Sequence, residues 1–192
     1  MLPLFLDVSR LRLVLAGQGA AAAARLRLLE EAGAQAVTVH AAAPSPALAR
    51  AAGARLVRRW PAPAELAAAQ FVFIADVPEP VRARLARAAR AAGVLVHVED
   101  APLLSDAAAA AVLRRGDLTV AVSTGGTSPA LAVQVRDFLG GLFGPEWDGR
   151  LEQLSQQRRA WRDAGLAPER IADLTEEWVS HRGWLSQIAV PA

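Results

Sequence analysis

Leu11-Arg-Leu-Val-Leu-Ala-Gly17-Gln-Gly19 runs directly into Ala20-Ala-Ala-Ala-Ala-Arg25-Leu-Arg-Leu-Leu29. The first stretch is an apolar run of strand length that ends in Gly-x-Gly, and the second is an alanine-rich helical pattern. This layout is typical of a dinucleotide-binding βα turn, in which Gly17 permits a tight turn and Gly19 lets the backbone approach a pyrophosphate. The helix that follows offers free N–H groups and the positive end of its dipole to the same phosphates.

The chain alternates strand-like and helix-like segments up to about residue 123. The strand-like segments are Leu11–Ala16, Ala36–His40, Arg55–Val57, Phe71–Ala75, Val94–Val98 and Leu118–Ser123. The helix-like segments are Ala20–Ala32, Pro46–Ala52, Pro63–Ala69, Pro80–Ala92 and Asp106–Arg114. Regular alternation predicts an α/β fold with a Rossmann-like parallel sheet and helices on both of its faces.

The pattern changes after residue 123. A polar loop, Ser123–Pro129, leads to a helix over Ala130–Leu139 that should break at Gly140–Pro145. Helical patterns then cover Arg150–Ala164 and, with a turn near Gly183, Pro168–Ser186. The final residues Val190–Ala192 should be frayed. Four tryptophans, Trp147, Trp161, Trp178 and Trp184, are expected to form the core of this small helical part. The predicted organisation is a Rossmann-like domain over 1–113, a connecting or pairing segment over 114–145 and a helical C-terminal region over 146–192.

Composition narrows the class of protein. The 192 residues include no Cys, which excludes disulfides and thiolate metal sites. The formal net charge is only +2, and the arginines are scattered among acidic residues, so no nucleic-acid surface is expected. No apolar run has membrane-spanning length and no signal peptide precedes the first strand, so we expect a cytoplasmic protein with no membrane partner.

Four stretches together resemble one known family. They are Leu2-Pro-Leu-Phe-Leu6, then Gly17-Gln-Gly19 with Arg25-Leu-Arg-Leu-Leu-Glu-Glu-Ala-Gly-Ala34, then His97-Val-Glu-Asp100-Ala-Pro102, and finally Leu118-Thr-Val-Ala-Val-Ser-Thr-Gly-Gly-Thr-Ser-Pro-Ala-Leu-Ala132. The third is similar to an Asn-x-x-Asp-x-Pro motif, and the fourth to a Ser-[Ser/Thr]-Gly-Gly-x-Ser-Pro signature. Both motifs belong to the precorrin-2 dehydrogenase / sirohydrochlorin ferrochelatase family, which includes the N-terminal module of siroheme synthases. The resemblance extends over roughly residues 2–140.

The resemblance implies an enzyme that oxidises precorrin-2 to sirohydrochlorin by passing a hydride to NAD⁺, in siroheme or cobalamin biosynthesis. Some family members also insert a metal, so Fe²⁺ or Co²⁺ is a further expected substrate. No protein-derived metal site is implied, because the tetrapyrrole nitrogens bind the metal. The family's members are homodimers, which assigns dimerisation to residues 114–145. Two alternatives stay open: a chelatase-only or altered-substrate tetrapyrrole enzyme, and a non-catalytic tetrapyrrole- or nucleotide-binding relative.

Asp100 is the candidate catalytic residue. It follows the Val94–Val98 run, and ligands of open α/β sheets bind at the carboxyl edge of the strands. The family's key acidic residue falls on this position, as a general base or as the acceptor of pyrrole protons. The alternative is that Asp100 only caps the Ala101-Pro102 turn. Glu99, beside it, is expected to point the other way and to be solvated or salt-bridged.

Besides Asp100, two sets of residues are candidates for binding the cofactor and the substrate. The candidate cofactor-binding residues for NAD are Gly17, Gln18, Gly19, Ala20, Ala21, His40, Ala42, Ala43, Ala75 and Asp76. The candidate substrate-binding residues are His97, Ser123, Thr124, Gly125, Gly126, Thr127 and Ser128. The Ser123–Ser128 loop offers hydroxyl and backbone donors that suit a polycarboxylate, although Thr127 or Ser128 can equally cap the next helix.

The chain departs from the family pattern at three places. His40 stands where many NAD binders have Asp or Glu; it is either a ribose contact or a surface histidine, and no Arg beside it suggests NADP. Asp76 replaces a Thr and could repel a pyrophosphate. Ala107–Ala111 replace an aromatic stretch, which points to a wider cleft, a different tetrapyrrole or lost activity.

Overall fold

The computed structural model describes residues 1–186. Its contacts divide the chain into a first unit, Met1–Ala109, and a second unit, Ala110–Ala192. The expected fraying of Val190–Ala192 and the end of the predicted region 146–192 lie outside the described residues.

The first unit is a doubly wound α/β sheet. Its strands are β1 (Arg12–Gly17), β2 (Ala36–His40), β3 (Leu56–Val57), β4 (Phe71–Ala75) and β5 (Leu95–Val98). Its α-helices are α1 (Ala20–Glu31), α2 (Pro46–Ala52), α3 (Pro63–Ala68) and α4 (Val81–Ala91), and short 3-10 turns lie at Val8–Arg10, Gly53–Arg55 and Pro102–Leu104. The strand order is β3-β2-β1-β4-β5 with parallel pairing throughout, which confirms the predicted Rossmann-like class.

Apolar side chains fill both faces of this sheet. Leu13 and Leu15 of β1 pack on one face with Leu26 of α1. Val14 and Ala16 belong to the opposite face, where Leu85 of α4 is buried. Successive strand residues point to opposite sides, so the continuous apolar run of β1 serves both layers. The central strands are therefore covered, and their carboxyl ends are left to form a site.

The predicted strands and helices of the first unit agree with the structure to within one residue at each end, up to the end of β5. Local signals account for this agreement. Pro46 and Pro63 each occupy the first position of a helix, where a missing N–H has no cost. The Ser45 hydroxyl caps α2 by accepting from the Leu48 N–H at 3.2 Å.

The helix predicted over Asp106–Arg114 is wrong. Residues Ala111–Arg115 form strand β6, which pairs antiparallel with β7 (Leu118–Val122) in the second unit. Gly116, with φ 56°, and Asp117 make a two-residue hairpin turn, a position that favours glycine. Asp106 is tied to β5 instead of starting a helix, because its N–H donates to the Val96 carbonyl at 2.8 Å. The strand expected over Leu118–Ser123 is present, but in this hairpin and not in the parallel sheet.

Three helices complete the second unit: α5 (Pro129–Leu142), α6 (Glu146–Asp163) and α7 (Pro168–His181). The break expected from Gly140 comes later, after Leu142. Arg115 stabilises this end of α5, since its guanidinium donates to the carbonyls of Gly140 (3.3 Å) and Phe143 (2.9 Å). The last helix, α7, ends at His181, and the turn expected near Gly183 follows it, with φ 63° at that glycine.

Three of the four tryptophans form an aromatic cluster in the second unit. The Trp147 and Trp184 rings lie 6.2 Å apart, and the Trp178 and Trp184 rings 4.9 Å apart, both edge to face. Trp147 and Trp184 are each only 7% exposed. The predicted core role of these tryptophans is thus confirmed, while Trp161 is half-buried on α6.

Candidate functional site

The turn between β1 and α1 requires glycine at its first position. A Cβ on Gly17 would lie 2.5 Å from the Ala22 Cβ and 2.5 Å from the Ala75 carbonyl oxygen. Glycine therefore lets α1 begin close against β4 at the point where the strand order reverses. That point is where open α/β sheets bind their ligands.

Asp76 makes direct contact with the N-terminus of α1. Its carboxylate Oδ2 accepts from the N–H groups of Ala21 (2.7 Å) and Ala22 (3.1 Å). Asp76 follows β4 with φ 55°, in the left-handed region, and remains exposed. Gly19, the N-cap of α1, leaves the space that the carboxylate fills, since a Cβ on Gly19 would lie 2.7 Å from Oδ2. The N–H groups expected to face a phosphate thus face a carboxylate.

Gln18 connects this turn to the loop after β2. Its side-chain Oε1 accepts from the Ala43 N–H at 2.8 Å, and its carbonyl accepts from the Ser45 N–H at 2.7 Å. Ala42 and Ala43 are exposed in that loop, and Ala20 is exposed at the start of α1. The structure brings these predicted cofactor residues together along the carboxyl edge of β1 and β2.

His40 is not a surface histidine, so that alternative is wrong. It is 1% exposed at the end of β2, in register with Ala16 of β1. Burial lowers the pKa of His40, which keeps the imidazole neutral near pH 7. Within residues 1–186, the buried Nδ1 atom of His40 has no hydrogen-bond partner. The sequence pattern does not predict this burial. Exposed and buried residues alternate along β2 up to Val39, so His40 would be expected to be exposed.

A cleft of about 310 Å³ opens at the switch point of the sheet. It is lined by Ala21, Ile74, Asp76, Val77, Pro78, Arg82, Glu99 and Asp100. The start of α1 and the turns after β4 and β5 therefore share one cavity. Two predicted cofactor residues and the predicted catalytic residue lie in it together.

Asp100 is exposed at the rim of this cleft. Its backbone φ is 55°, which turns the chain sharply after β5. The following 3-10 turn has Ala101 as its N-cap and no side-chain cap. The geometry therefore leaves Asp100 facing solvent and the cleft.

Glu99 is held in an ion pair. The Arg25 guanidinium on α1 donates to Glu99 Oε2 at 2.7 Å, and the Arg25 side chain is only 11% exposed. His97, whose Nε2 lies 3.6 Å from the same oxygen, and Arg25 lower the pKa of Glu99 to about 2. Glu99 therefore remains a carboxylate at neutral pH, as the salt-bridged alternative predicted.

His97 is fixed by its neighbours. Its Nδ1 lies 3.0 Å from the Ala107 carbonyl oxygen, a distance at which it donates, and its Nε2 lies 3.4 Å from Arg25. The ring also meets Phe73 edge to face at 6.0 Å. Both ring nitrogens thus have protein partners in the first unit.

Sequence reasoning missed Arg25 and Arg82 as residues of this region. Arg25 was detectable in principle, because it lies between the buried positions Ala22, Leu26 and Leu29 of α1. A charged side chain on a buried helical stripe needs a partner. Arg82, at the start of α4, carries no comparable signal, and its Nε donates to Glu79 at 2.6 Å.

The Ser123–Ser128 loop of the second unit is organised by its own hydroxyls. Thr124 Oγ1 accepts from the Ser128 N–H (3.1 Å) and donates to the Ser128 carbonyl (2.9 Å), while Ser123 Oγ accepts from the Gly125 N–H (3.2 Å). Ser128 is the N-cap of α5 and accepts from the Leu131 N–H at 3.2 Å. The capping alternative is confirmed for Ser128. Gly125 (φ 65°) and Gly126 (φ 90°) form the exposed tip, followed by exposed Thr127.

Two further features concern residues 1–186. Over this range, no group of three or more His, Asp and Glu side chains could hold a metal ion. Over the same range, no helix combines the length and the apolar character that crossing a bilayer requires.

Comparison with known proteins gives two family matches. A family described as "Putative NAD(P)-binding" matches residues 4–111. A second, described as "Sirohaem biosynthesis protein central", matches residues 115–141. The boundary between the matches lies close to the boundary between the two units of the structure.

Curated relatives and a solved structure are also similar to this chain. The siroheme synthase of Methylobacillus flagellatus is 32% identical over 200 residues, which cover 94% of this chain and 42% of the relative. The siroheme synthase of Methylococcus capsulatus is 38% identical over 138 residues, or 70% of this chain and 29% of the relative. The chain therefore spans less than half the length of these relatives. A solved structure described as "SirC, precorrin-2 dehydrogenase" has the same fold, with a TM-score of 0.72, 22% identity and 98% coverage of both chains.

Proposed function

The chain belongs to the NAD(P)-binding family that matches residues 4–111, and we propose that it oxidises precorrin-2 to sirohydrochlorin with NAD⁺. The step belongs to siroheme synthesis or, with a different metal downstream, to cobalamin synthesis. The curated relatives named siroheme synthase support the substrate class. The fold shared with a precorrin-2 dehydrogenase is compatible with it.

One observation carries the proposal: a single cleft joins the nucleotide turn to a carboxylate. Ala21, from the start of α1, and Asp100, from the turn after β5, line the same 310 Å³ cavity. A dehydrogenase must bring a hydride acceptor and a proton acceptor to the same substrate molecule. This shared cavity supports assigning both roles to residues at one edge of the sheet.

The oxidation removes two hydrogens from the tetrapyrrole, one as a hydride and one as a proton. When NAD⁺ is bound, its nicotinamide supplies the hydride acceptor. The Asp100 carboxylate accepts the proton as a general base.

The other carboxylates of the cleft are poorly suited to this role. Glu99 is paired with Arg25, and its lowered pKa of about 2 makes it a weak proton acceptor. Asp76 is engaged by two N–H groups of α1. Among the carboxylates that line the cavity, Asp100 is therefore assigned the catalytic role.

The backbone of the β1–α1 turn fits a dinucleotide. Gly17 and Gly19 permit close approach, and the Ala21 and Ala22 N–H groups would donate to a pyrophosphate once the Asp76 carboxylate leaves them. Gln18, Ala42 and Ala43 would border the adenosine half. We assign NAD over NADP because Ala41-Ala-Ala43 after His40 offers no Arg for a 2′-phosphate. His40, Ala20 and Ala75 remain candidate neighbours of the cofactor.

The second unit is assigned substrate binding and dimerisation. The Gly125–Gly126 tip and the Thr127 hydroxyl would donate to the carboxylates of precorrin-2, with Ser123, Thr124 and Ser128 shaping the loop. We also propose that the edge of the His97 ring contacts the substrate. A homodimer in the cytoplasm completes the proposal.

The Asp76 contact favours a second candidate function, metal insertion without a nucleotide. A carboxylate on the α1 N-terminus disfavours a second anion there. In this alternative Asp100 accepts the protons that leave the pyrrole nitrogens as Fe²⁺ or Co²⁺ enters the macrocycle as substrate. Metal insertion into sirohydrochlorin, measured without NAD⁺, tests it.

The proposed function is tested by anaerobic incubation of the protein with precorrin-2. We expect the sirohydrochlorin absorption spectrum to appear when NAD⁺ is added and to be absent when it is omitted. NADP⁺ in place of NAD⁺ should give a slower reaction. Intact precorrin-2 in the presence of protein and NAD⁺ would overturn the dehydrogenase assignment.

A further inference from the structure

We propose that Asp76 is a built-in competitor for the phosphates of the dinucleotide, and that its carboxylate limits the affinity of this chain for NAD⁺. The inference rests on the proposed function, because it concerns the same nucleotide turn. It goes further by naming the residue that sets how tightly the turn binds.

The contact occupies the donors that a pyrophosphate would use. Asp76 Oδ2 accepts from Ala21 N at 2.7 Å and from Ala22 N at 3.1 Å, and both N–H groups belong to the first turn of α1. Free N–H groups and the helix dipole at this end attract one anion. A bound phosphate and the Asp76 carboxylate cannot both accept from these two groups.

The glycine that opens the turn also admits the carboxylate. A Cβ on Gly19 would lie 2.7 Å from Asp76 Oδ2 and 2.9 Å from its Cγ. Asp76 thus fills the space beside Gly19 through which a phosphate would approach the backbone. The φ of 55° at Asp76 turns its side chain back toward α1, and Asp tolerates this conformation better than most residues.

A phosphate can displace the Asp76 carboxylate from the N–H groups of α1. Asp76 is exposed, and its partners in this contact are two backbone N–H groups at the rim of the cleft. Nucleotide binding therefore requires the carboxylate to leave these donors and then leaves two negative groups close together. Both effects weaken binding without closing the site.

Two substitutions distinguish the effect of the Asp76 charge from the effect of the Asp76 side chain as a whole. Asp76→Asn removes the charge and keeps a residue that tolerates positive φ. Asp76→Gly removes the side chain entirely and favours the same backbone conformation. A charge-assisted contact of this kind corresponds to about a ten- to hundredfold change in dissociation constant, so we expect both variants to bind NAD⁺ more tightly by that factor. Asp7→Asn is the matched control, since Asp7 also accepts from a backbone N–H, that of Ser9, outside the cleft.

The test is calorimetric titration of the full chain with NAD⁺, ADP-ribose and adenosine. Tighter binding of NAD⁺ and ADP-ribose by both Asp76 variants, with adenosine and Asp7→Asn unchanged, would support the proposal. An equal gain for adenosine would overturn it, because adenosine has no phosphate. Should Asp76→Gly fail to fold by circular dichroism, Asp76→Asn alone decides.

Two other results distinguish this inference from the proposed function. Equal or weaker NAD⁺ binding by folded Asp76 variants, beside measurable binding by the unmodified chain, would overturn the competitor role and leave the dehydrogenase proposal standing. Absence of NAD⁺ binding in the unmodified chain and in both variants would overturn both, since the turn would then not be a nucleotide site.

Discussion

At the residue scale, two aspartates at neighbouring strand ends have the same unusual backbone. Asp76 after β4 and Asp100 after β5 both have φ 55°, and both line the switch-point cleft. Their environments differ: Asp76 contacts the N-terminus of α1, whereas Asp100 faces the rim. Non-glycine residues in this region of φ tend to be held there by surrounding structure at functional sites. The proposed dehydrogenation and the proposed competition for phosphate both rest on this pair.

The role of Asp100 is tested by Asp100→Asn. Asn keeps the shape and tolerates φ 55° but cannot act as a base, so turnover of precorrin-2 should fall by about 10²–10⁴-fold. The NAD⁺ dissociation constant should not change. Asp117→Asn, in the hairpin turn of the second unit, is a control with the same change of charge. Full activity in Asp100→Asn would remove Asp100 from the mechanism, as expected of a simple turn residue.

The Arg25–Glu99 pair predicts a pH dependence of stability. The pKa of Glu99 is lowered from its model-compound value of 4.5 to about 2, so its stabilising contribution is complete above about pH 4.5. It is lost as the pH falls from there through about 2. Because Glu99 is one-third exposed, we expect Glu99→Gln to cost only about 1–2 kcal/mol at pH 7.

This difference is measured by urea unfolding of both proteins between pH 7 and pH 3. The gap in free energy of unfolding between the unmodified chain and Glu99→Gln should shrink below pH 4.5. A gap that stays constant over this range would show that the charge of Glu99 does not stabilise the fold.

The sequence allowed only part of this residue-scale picture to be predicted. Gly17, Gly19 and Asp100 were recognisable because motif spacing and strand ends mark them. Asp76 was recognisable as an unusual residue near the cofactor, but its contact with α1 joins positions 55 residues apart and depends on a single backbone angle. The burial of His40 likewise depends on tertiary packing, which the alternation of residues along β2 does not predict.

At the scale of elements, the fit between β1, α1 and β4 positions the site. Gly17 lies where the backbone of β4 and the first turn of α1 leave no room for a side chain. The same approach brings Asp76 within reach of the α1 N–H groups. The cleft therefore depends on the packing of three elements against one glycine.

Gly17→Ala should destabilise the fold. Its Cβ would meet the Ala75 carbonyl and Ala22 at 2.5 Å, and relieving such overlap costs about 1–3 kcal/mol. Gly149→Ala is the matched control, because its Cβ within α6 would meet nothing within 4 Å. We expect that variant to be more stable by about 0.5–1 kcal/mol. Chemical denaturation measures both, and an unchanged midpoint for Gly17→Ala would contradict the close-packed turn.

Elements with strong local signals were predicted well, and those decided by distant partners were not. The apolar runs of β1, β2 and β4 and the proline-started helices α2 and α3 needed no tertiary information. The alanine run before β6 has high helix propensity, yet Asp106 pairs with β5 and the Gly116–Asp117 turn selects a hairpin. The pairing of β6 with β7 outweighs the helix propensity of the alanine run, and a single sequence does not reveal that pairing.

At the scale of the whole molecule, α5 displays an apolar stripe. Leu131, Val135 and Phe138 recur at helical spacing and are 49%, 37% and 51% exposed. Burying such surface contributes about 25 cal/mol per Å². A second copy of the chain is the partner that the proposed homodimer provides.

Sedimentation velocity at micromolar concentration should therefore show a dimer. Phe138→Arg should shift it to monomer while leaving the circular dichroism spectrum unchanged. Leu28→Arg is the comparison, since Leu28 is an exposed leucine of α1 with similar accessibility at 49%, and we expect it to remain dimeric. A monomeric unmodified chain would contradict the assignment of residues 114–145 to dimerisation.

In the proposed reaction, one cleft couples hydride and proton removal from precorrin-2. This coupling is tested most directly by an anaerobic single-turnover reaction with NAD⁺, in which NADH fluorescence and sirohydrochlorin absorption are followed together. We expect both signals to rise with the same rate constant and in equal amounts, and both to slow together in Asp100→Asn. Sirohydrochlorin formed without NADH, or no product from a protein that binds NAD⁺, would contradict it.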